Sequence, residues 1–348
     1  MAFLSNLLIA QPTGLWPSII NIFGNVGNYA WAIILLTIAI KVIMSPLDFF
    51  NKKISRKNAK MQTVLQPEMA KIQKQYGHDK NLYNQKLSEL YKNNNFNMMG
   101  SCIFMLVNLV LTLVIFLTLF GALNNMANFK IQNQYEELKT AYYSVYEVDL
   151  NNTKQAEEAV KIKYDEIKDS WLWIDNIWRA ETPWTNSVPT FEEYLAMIGN
   201  KVETIPEGKT EAELIEFSKL SEAEQTKLKD EYTAVMGALR ESEGKANGYL
   251  ILAVLAVGTA LLSQFLMQRK MKVVEGQKSN KFMMFFLPIL MGVFTLFYNS
   301  VFALYIIVGQ VFAIVTTPLI DLILDKLEMR EKRKKDETII VEYSRKKK

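Results

Sequence analysis

The sequence has few side chains that support metal, redox or disulfide chemistry. Its 348 residues include one cysteine, Cys102, and one histidine, His78. A single cysteine excludes a disulfide within the monomer, and transition-metal sites draw on cysteine, histidine and carboxylate ligands in sets. No GxGxxG or Walker-type glycine loop occurs in the sequence. We therefore expect no enzyme activity, no metal and no cofactor.

Charged side chains are missing from long parts of the chain, beginning with the first 40 residues. A helix needs roughly 20 consecutive apolar residues to cross about 30 Å of hydrocarbon. Five stretches approach that length, at 29–47, 98–123, 249–267, 282–299 and 300–320. The sequence therefore predicts an all-α polytopic membrane protein with five transmembrane helices.

The charges that are present orient these spans, because lysine and arginine concentrate near the cytoplasmic ends of spans. Residues 51–97 carry ten basic and three acidic side chains, and residues 268–281 carry five and one. Residues 124–248 carry 14 basic and 24 acidic side chains. This asymmetry predicts an N-out/C-in arrangement. The odd number of spans agrees with it, because it places the two termini on opposite sides of the membrane.

The resulting layout alternates spans with segments of opposite charge. Its parts are an uncharged outer tail at 1–28, the first span at 29–47, a cytoplasmic helical hairpin at 48–97 (the basic hairpin), the second span at 98–123, an extracytoplasmic helical domain at 124–248 (the acidic domain), the third span at 249–267, a cytoplasmic loop at 268–281, the fourth and fifth spans at 282–320 and a basic cytoplasmic tail at 321–348.

Local patterns predict helices inside these segments. In the tail, GLWPSIINIF has apolar residues at helical spacing, which fits an interfacial helix as well as a disordered segment. The basic hairpin has amphipathic spacing on both sides of GHDKN, and Pro67 predicts a kink or a new helix start there. In the acidic domain, Thr210 with Glu213 and Ser221 with Glu224 have the capping-box spacing of helix N-termini.

The acidic domain also contains SWLWIDNIWRAETPW, a segment dense in tryptophan. Tryptophan favours the boundary between membrane and water, so we expect this segment to rest on the outer leaflet. A packed core for the acidic domain is the alternative use of these side chains. The interfacial candidates are Trp171, Trp173, Trp178 and Trp184.

Polar residues recur inside several spans. Thr37, Lys41 and Ser45 are spaced by four and share one helix face. Because polar groups facing lipid are costly, the polar faces should point at one another and form a positively charged cavity. The alternatives are that Lys41 snorkels to the inner headgroups and that the amides join helices. The other candidates for this cavity are Asn108, Thr112, Gln264 and Gln310.

Several of these stretches resemble the YidC/Oxa/Alb family of membrane protein insertases. AIILLTIAIKVIMSPLDFF, followed by MQTVLQPEMAKIQKQY, is similar to the first span and hairpin of that family. LYKNNNFNMMGSC resembles the start of its second span, and WLWIDNI resembles its FLWI-type segment. FMMFFLPILMGVFTLFYNSVFALYIIVGQ is similar to its last two spans. The resemblance covers all five spans in order.

The resemblance implies an insertase and chaperone that works without nucleotide hydrolysis, through a hydrophilic groove open to the cytoplasm and to lipid. Lys41 stands where the family usually has arginine. A lysine keeps the positive charge but lacks the planar guanidinium group with its five N–H donors. Asn108 and Gln310 stand at its groove amides. The family pattern has a proline where this chain has Met98 and another after Asn108 that this chain lacks, so groove contacts in the second span are open.

The family also implies partners. These are nascent membrane proteins, a Sec-type translocon and a ribosome, with anionic lipids as a further surface for the basic segments. Clustered basic residues suit anionic RNA, although they suit a solvated or lipid-facing tail equally. The ribosome-contact candidates are Lys332, Arg333, Lys334, Lys335, Arg345, Lys346, Lys347 and Lys348. Because no arginine-rich presequence precedes the spans, we expect a multi-pass protein of the bacterial plasma (inner) membrane.

Two other classes of function remain open from the sequence. A small-solute transporter would use Lys41 as its anion site, although no repeat of helices like that of many transporters is visible. A membrane anchor would instead carry the acidic domain as a binding module, with Lys41 dispensable.

Overall fold

The structure, a computed structural model, describes residues 12–24, 28–94, 98–146, 152–204, 213–268 and 281–346. The helices are α1 (Leu15–Gly24), α2 (Tyr29–Tyr76), α3 (Lys80–Asn93), α4 (Met98–Tyr146), α5 (Thr153–Ile167), α6 (Phe191–Met197), α7 (Glu222–Glu243), α8 (Ile251–Gln268), α9 (Lys281–Phe297) and α10 (Ser300–Lys346). Two strands, β1 (Lys201–Thr204) and β2 (Glu213–Glu216), lie between α6 and α7, and a 3₁₀ turn follows at Phe217–Lys219.

The molecule is a predominantly helical membrane protein. Among the described residues, three helices are long and apolar enough to cross a bilayer, with apolar windows in α2, α4 and α10. Two shorter apolar helical segments, Ile251–Met267 and Pro288–Phe297, lie in α8 and α9. Five spans and their orientation stay predictions, since the last two segments are below the length that defines a span by itself.

The three long helices do not end where their apolar windows end. With 48, 49 and 47 residues, α2, α4 and α10 each extend well beyond about 30 Å of hydrocarbon at 1.5 Å per residue. Helix α2 contains both Pro46 and Pro67. The expectation of a new helix start at Pro67 is therefore wrong, and α2 carries the first predicted span directly into the basic hairpin.

The chain folds as two compact units, and the first comprises residues 1–37, 117–257 and 289–307. Its core lies in the acidic domain, where α7 packs on α5 and α6. Tyr135 of α4, Tyr194 of α6 and Tyr232 of α7 meet there with ring centroids 4.9–5.2 Å apart. Aromatic pairs at this separation add to the stabilisation from burial.

The acidic domain is not wholly helical as predicted. Strands β1 and β2 pair antiparallel, and Glu213 is the first residue of β2, so the capping box proposed for Thr210 and Glu213 is wrong; Thr210 itself lies outside the described residues. The capping box at Ser221 and Glu224 is confirmed at the start of α7. A third capping box, at Thr190 and Glu193, begins α6.

In the same unit, α8 and α9 approach closely at a glycine. A Cβ built on Gly292 of α9 would clash with Cγ2 of Val257 in α8. Small residues let helix backbones come together in membranes, where van der Waals packing replaces the hydrophobic drive. A larger residue at 292 would therefore force the Val257 side chain to move.

The second unit comprises residues 38–116, 258–288 and 308–348. In it α2 ends at Tyr76, as the GHDKN turn predicts, and Asp79 caps α3 by accepting hydrogen bonds from the backbone N–H groups of Asn81 and Leu82. The Tyr91 hydroxyl donates to Met69 Sδ at 3.7 Å, which joins α3 to α2. The predicted loop at 268–281 falls almost entirely outside the described residues.

Candidate functional site

Lys41 lies on α2 with its side chain against α10. The residue is half-buried. A Cβ built on Gly309 of α10 would lie 3.1 Å from Lys41 Cε and 3.7 Å from its Nζ, so the missing side chain at Gly309 makes room for the lysine. Within the described chain, Lys41 forms no hydrogen bond or ion pair, although the charge of Asp48 acts on it. The ammonium is therefore held beside a neighbouring helix without an acceptor among the described residues.

The two hydroxyl residues predicted to share this helix face bond to their own backbone. The Ser45 hydroxyl donates to the carbonyl of Val42 at 2.8 Å, and the Thr37 hydroxyl donates to the carbonyl of Ile33 at 2.6 Å. Thr37 is fully buried and belongs to the first unit. Such bonds satisfy a hydroxyl within its own helix, so neither donor proton is available to a ligand in this arrangement.

The other four residues predicted to line the cavity are three amides and the threonine Thr112, and the threonine is the more exposed. Asn108, Gln264 and Gln310 are half-buried, whereas Thr112 is exposed. The Oδ1 atom of Asn108 is buried and has no hydrogen-bond partner among the residues that the structure describes. No hydrogen bond among the described residues joins Lys41 to any of them. The second unit therefore contains an unpaired ammonium and an unpaired amide oxygen, the groups that a polar guest or water would satisfy.

A ladder of ion pairs in the second unit joins the extension of α2 to the extension of α10, and the sequence analysis missed it. Arg56 lies between Asp321 and Asp325, with N–O distances of 2.5 and 2.6 Å. Lys52 also pairs with Asp321 at 2.9 Å. One step further along, Lys60 pairs with Glu328. The four-residue spacing of the basic residues on α2 and of Asp321 and Asp325 on α10 was the signal that could have revealed it.

The basic tail continues α10 beyond this ladder. The side chains of Lys332, Arg333 and Lys334 are exposed on the helix. The side chains of Lys335, Arg345 and Lys346, and residues 347–348, lie outside the described structure. A contact with a ribosome therefore stays a prediction for all eight residues.

The four tryptophans proposed as interfacial residues have different environments in the first unit. Trp178 is buried and donates its Nε1–H to Asp169 at 2.6 Å, and burial raises the pKa of that carboxyl group despite this bond. Trp171 and Trp173 are half-buried, and Trp184 is 66% exposed. Contact with lipid stays a prediction, while Trp178 is used in the core.

The tryptophan-rich segment also caps apolar helices, which no local pattern indicated. Glu181 is 2% exposed and accepts hydrogen bonds from the N–H groups of Tyr249, Ile251 and Leu252 at 2.6–3.2 Å. Trp173 donates to the same carboxylate at 3.1 Å. A carboxylate at a helix N-terminus satisfies free N–H groups and faces the positive end of the helix dipole. Glu181 therefore fixes the start of α8.

The same segment fixes the start of α10. The carbonyl of Arg179 accepts hydrogen bonds from both the backbone N–H and the hydroxyl of Ser300, at 2.8 and 2.7 Å. The carbonyl of Ile177 accepts from the N–H of Val301 at 3.2 Å. Two apolar helices thus begin on one loop, and the position of that loop is set by buried hydrogen bonds of Asn247 to Asn176.

Comparison with known proteins identifies the relatives of this chain. The family model described as 60Kd inner membrane protein matches residues 21–326. A membrane protein insertase YidC from Fusobacterium nucleatum is 39% identical over 91 residues, which are 26% of this chain and 42% of the relative. One from Clostridium perfringens is 35% identical over 102 residues, or 29% and 41% of the two chains.

A further protein of the same name, from Thioalkalivibrio sulfidiphilus, is 44% identical over 84 residues, or 24% of this chain and 14% of the relative. The matching part thus spans less than half the length of each of these three relatives.

Proposed function

The chain belongs to the family of the 60Kd inner membrane proteins, and from this membership we propose that it is a membrane protein insertase of the YidC type. Its activity is to move a hydrophilic segment of a nascent membrane protein across the bilayer. It then releases the attached apolar segment into lipid. The names of its relatives support this assignment.

The single observation that carries the proposed mechanism is the unpaired ammonium of Lys41 beside Gly309. A lysine that snorkels extends toward the headgroups, whereas this side chain lies against another helix. An unpaired cation at membrane depth costs about 2.5–3.5 kcal/mol on insertion scales. That cost is offset when an acidic client segment or water occupies the site.

The charge of Lys41 acts on the client by attraction. At an effective dielectric constant of about 20, two unit charges roughly 10 Å apart attract by about 1.7 kcal/mol. This is enough to change a transfer rate by more than tenfold. Nucleotide hydrolysis has no part in this step, because burial of the client's apolar segment in lipid, at about 25 cal/mol per Å², supplies the free energy.

The proposed topology follows the charge pattern, with five spans, an outer N-terminus, an outer acidic domain and an inner basic hairpin and tail. The plasma membrane of a bacterium is the proposed location. The exposed basic residues Lys332, Arg333 and Lys334 provide an electrostatic surface for a ribosome or for anionic lipid. A Sec-type translocon is a further partner that the family suggests.

The experiment follows insertion of a single-span client with an acidic N-terminal tail into vesicles that contain the purified full-length chain. Lys41→Glu should lower the insertion rate at least tenfold, and Lys41→Arg should retain it, because charge rather than shape is required. Lys53→Glu is the matched control, since Lys53 is exposed on the same helix. A client whose tail is made neutral should be inserted equally by the native chain and by the Lys41→Glu variant.

Normal insertion of the acidic client by the Lys41→Glu variant would refute the attraction step. Loss of insertion for both clients would assign Lys41 a structural role instead. Flux of a small anion through vesicles without any client, abolished by Lys41→Glu, would favour a transporter.

A further inference from the structure

The acidic domain contains a partly open cavity that the proposed insertase mechanism does not use. It has a volume of about 40 Å³ and lies among α4, α6, α7 and β1. A cavity needs about 10–15 Å³ to hold one water molecule, so this cavity has room for about three water-sized groups. It is too small for a folded peptide segment and large enough for the end of one side chain or a small solute.

The walls of the cavity are aromatic. Tyr135, Phe191, Tyr194 and Tyr232 line it, and Phe191 packs edge-on against Tyr232 with centroids 5.6 Å apart. The faces of such rings carry partial negative charge and attract cations. An aromatic lining therefore favours a cationic guest over an anionic one.

Three oxygen-bearing groups at this cavity lack partners. Among the described residues, no hydrogen bond uses the hydroxyls of Tyr135 and Tyr194 or the carboxylate of Glu136. By contrast, the Tyr232 hydroxyl donates to the carbonyl of Pro189 at 2.9 Å. Solvent reaches the oxygen atoms of all three groups, so they are available to hydrogen-bond a guest that enters the cavity.

The charges around the cavity are of both signs, since Arg179 and Arg240 act on the Tyr232 hydroxyl and Lys139 acts on Glu136. Glu231, next to Tyr232, is already paired with Lys139 at 2.5 Å. The Glu136 carboxylate lines the cavity together with Tyr135 and Tyr194 and interacts through charge with the hydroxyls of both. Burial raises the pKa of Glu136, partly opposed by Lys139. Glu136 forms no ion pair with another described residue, so a cation in the cavity would add to the compensation of its charge.

We propose that this cavity binds a primary ammonium group, as carried by a lysine side chain or a small free amine. An ammonium has three N–H donors and no acceptor, which matches the three unpaired oxygen groups around the cavity. A guanidinium or a trimethylammonium group is bulkier than an ammonium, so we expect a cavity of this size to disfavour both. The acidic domain, with 24 acidic and 14 basic residues, also attracts cations over a longer range.

The experiment uses the full-length chain in nanodiscs, labelled with 3-fluorotyrosine and observed by ¹⁹F NMR at constant ionic strength. The probes are methylammonium, an acetylated Gly-Lys-Gly amide peptide, its trimethyl-lysine form and its arginine form. Methylammonium, the lysine peptide or both should shift the resonances of Tyr135 and Tyr194 saturably, and the other two probes should not. Binding of the peptide assigns a protein segment as the source, and binding of methylammonium alone assigns a free amine.

Variants test the assignment of the acceptors. Glu136→Gln should weaken binding at least tenfold, and Tyr194→Phe, which keeps the ring, should weaken it severalfold. Glu158→Gln is the control, because it removes the same charge from an exposed position of α5. The proposal is overturned if no probe shifts these resonances, if all four do so equally, or if Glu136→Gln binds as Glu158→Gln does. None of these outcomes depends on insertase activity.

Discussion

Removing the carboxylate of Asp321 should loosen the extension of α10 from that of α2, and the size of the effect follows from burial. Asp321 and Arg56 have side chains only 7% and 17% exposed, and their closest N–O distance is 2.5 Å. Removing one member of a buried ion pair costs about 3–5 kcal/mol. Because Arg56 keeps Asp325, which is 39% exposed, we expect Asp321→Asn to cost about 2–3 kcal/mol.

A double-mutant cycle separates the pair from its surroundings. The four proteins are the native chain, Asp321→Asn, Arg56→Gln and the double variant, unfolded with SDS and followed by circular dichroism in mixed micelles. The cycle should give a coupling energy of about 1–3 kcal/mol. Lys86 and Glu89 on α3, with side chains 38% and 47% exposed, are the control pair, for which about 0.2–0.5 kcal/mol is expected.

The assignment has a clear refutation. If the Arg56–Asp321 coupling equals that of the exposed pair, the ladder contributes nothing beyond ordinary surface ion pairs. The charge swap, with Arg56→Asp and Asp321→Arg combined, gives a second measure. It should recover part of the loss if direct attraction is the cause, and none if the shape of the guanidinium fork is decisive.

Two further predictions concern the first unit. Glu181→Gln should destabilise the start of α8 by about 1–3 kcal/mol, because a neutral amide oxygen replaces a carboxylate that accepts several backbone hydrogen bonds. Amide hydrogen exchange at 249–252 should become faster. Unchanged protection of these amides would contradict the cap. The raised pKa of Glu136 means that its proton is held more tightly in the folded state, so its stabilising contribution is complete below its ordinary pKa of 4.5 and is lost as pH rises through the folded-state pKa. Glu136→Gln should therefore be more stable than the native chain at about pH 8, as measured by thermal unfolding. The difference in stability should shrink as the pH falls toward the ordinary pKa of a glutamate. A difference independent of pH would contradict the burial of this carboxylate.

Patterns that act over a few residues were predicted well from the sequence. The turn between α2 and α3 and the capping box at Ser221 depend on neighbours within four positions, and both are present in the structure. The capping box at Thr210 failed because Glu213 pairs with Thr204 in the hairpin of β1 and β2. A capping-box spacing carries no information about a strand partner, so a local signal was overridden by a neighbouring strand.

The candidate site was predicted only in part. Lys41 stood out because a cation in an apolar run is costly wherever it points. Its contact with Gly309 was not predictable, since glycine offers no polar or periodic signal that would place it beside a lysine. The choice between an interfacial and a buried role for Trp178 likewise depended on Asp169, a residue that hydropathy does not connect to it.

The sequence by itself determined that this is a helical membrane protein of one recognisable family, because long apolar runs have few stable alternatives to a helix in lipid. Tertiary structure alone decided which buried polar groups are satisfied. Arg56 meets Asp321 across 265 residues, and Glu181 reaches the N–H of Leu252 across 71. Such pairs form only when segments that are distant in sequence pack against each other. Hydropathy is a property of neighbours along the chain, so it gives no information about these contacts.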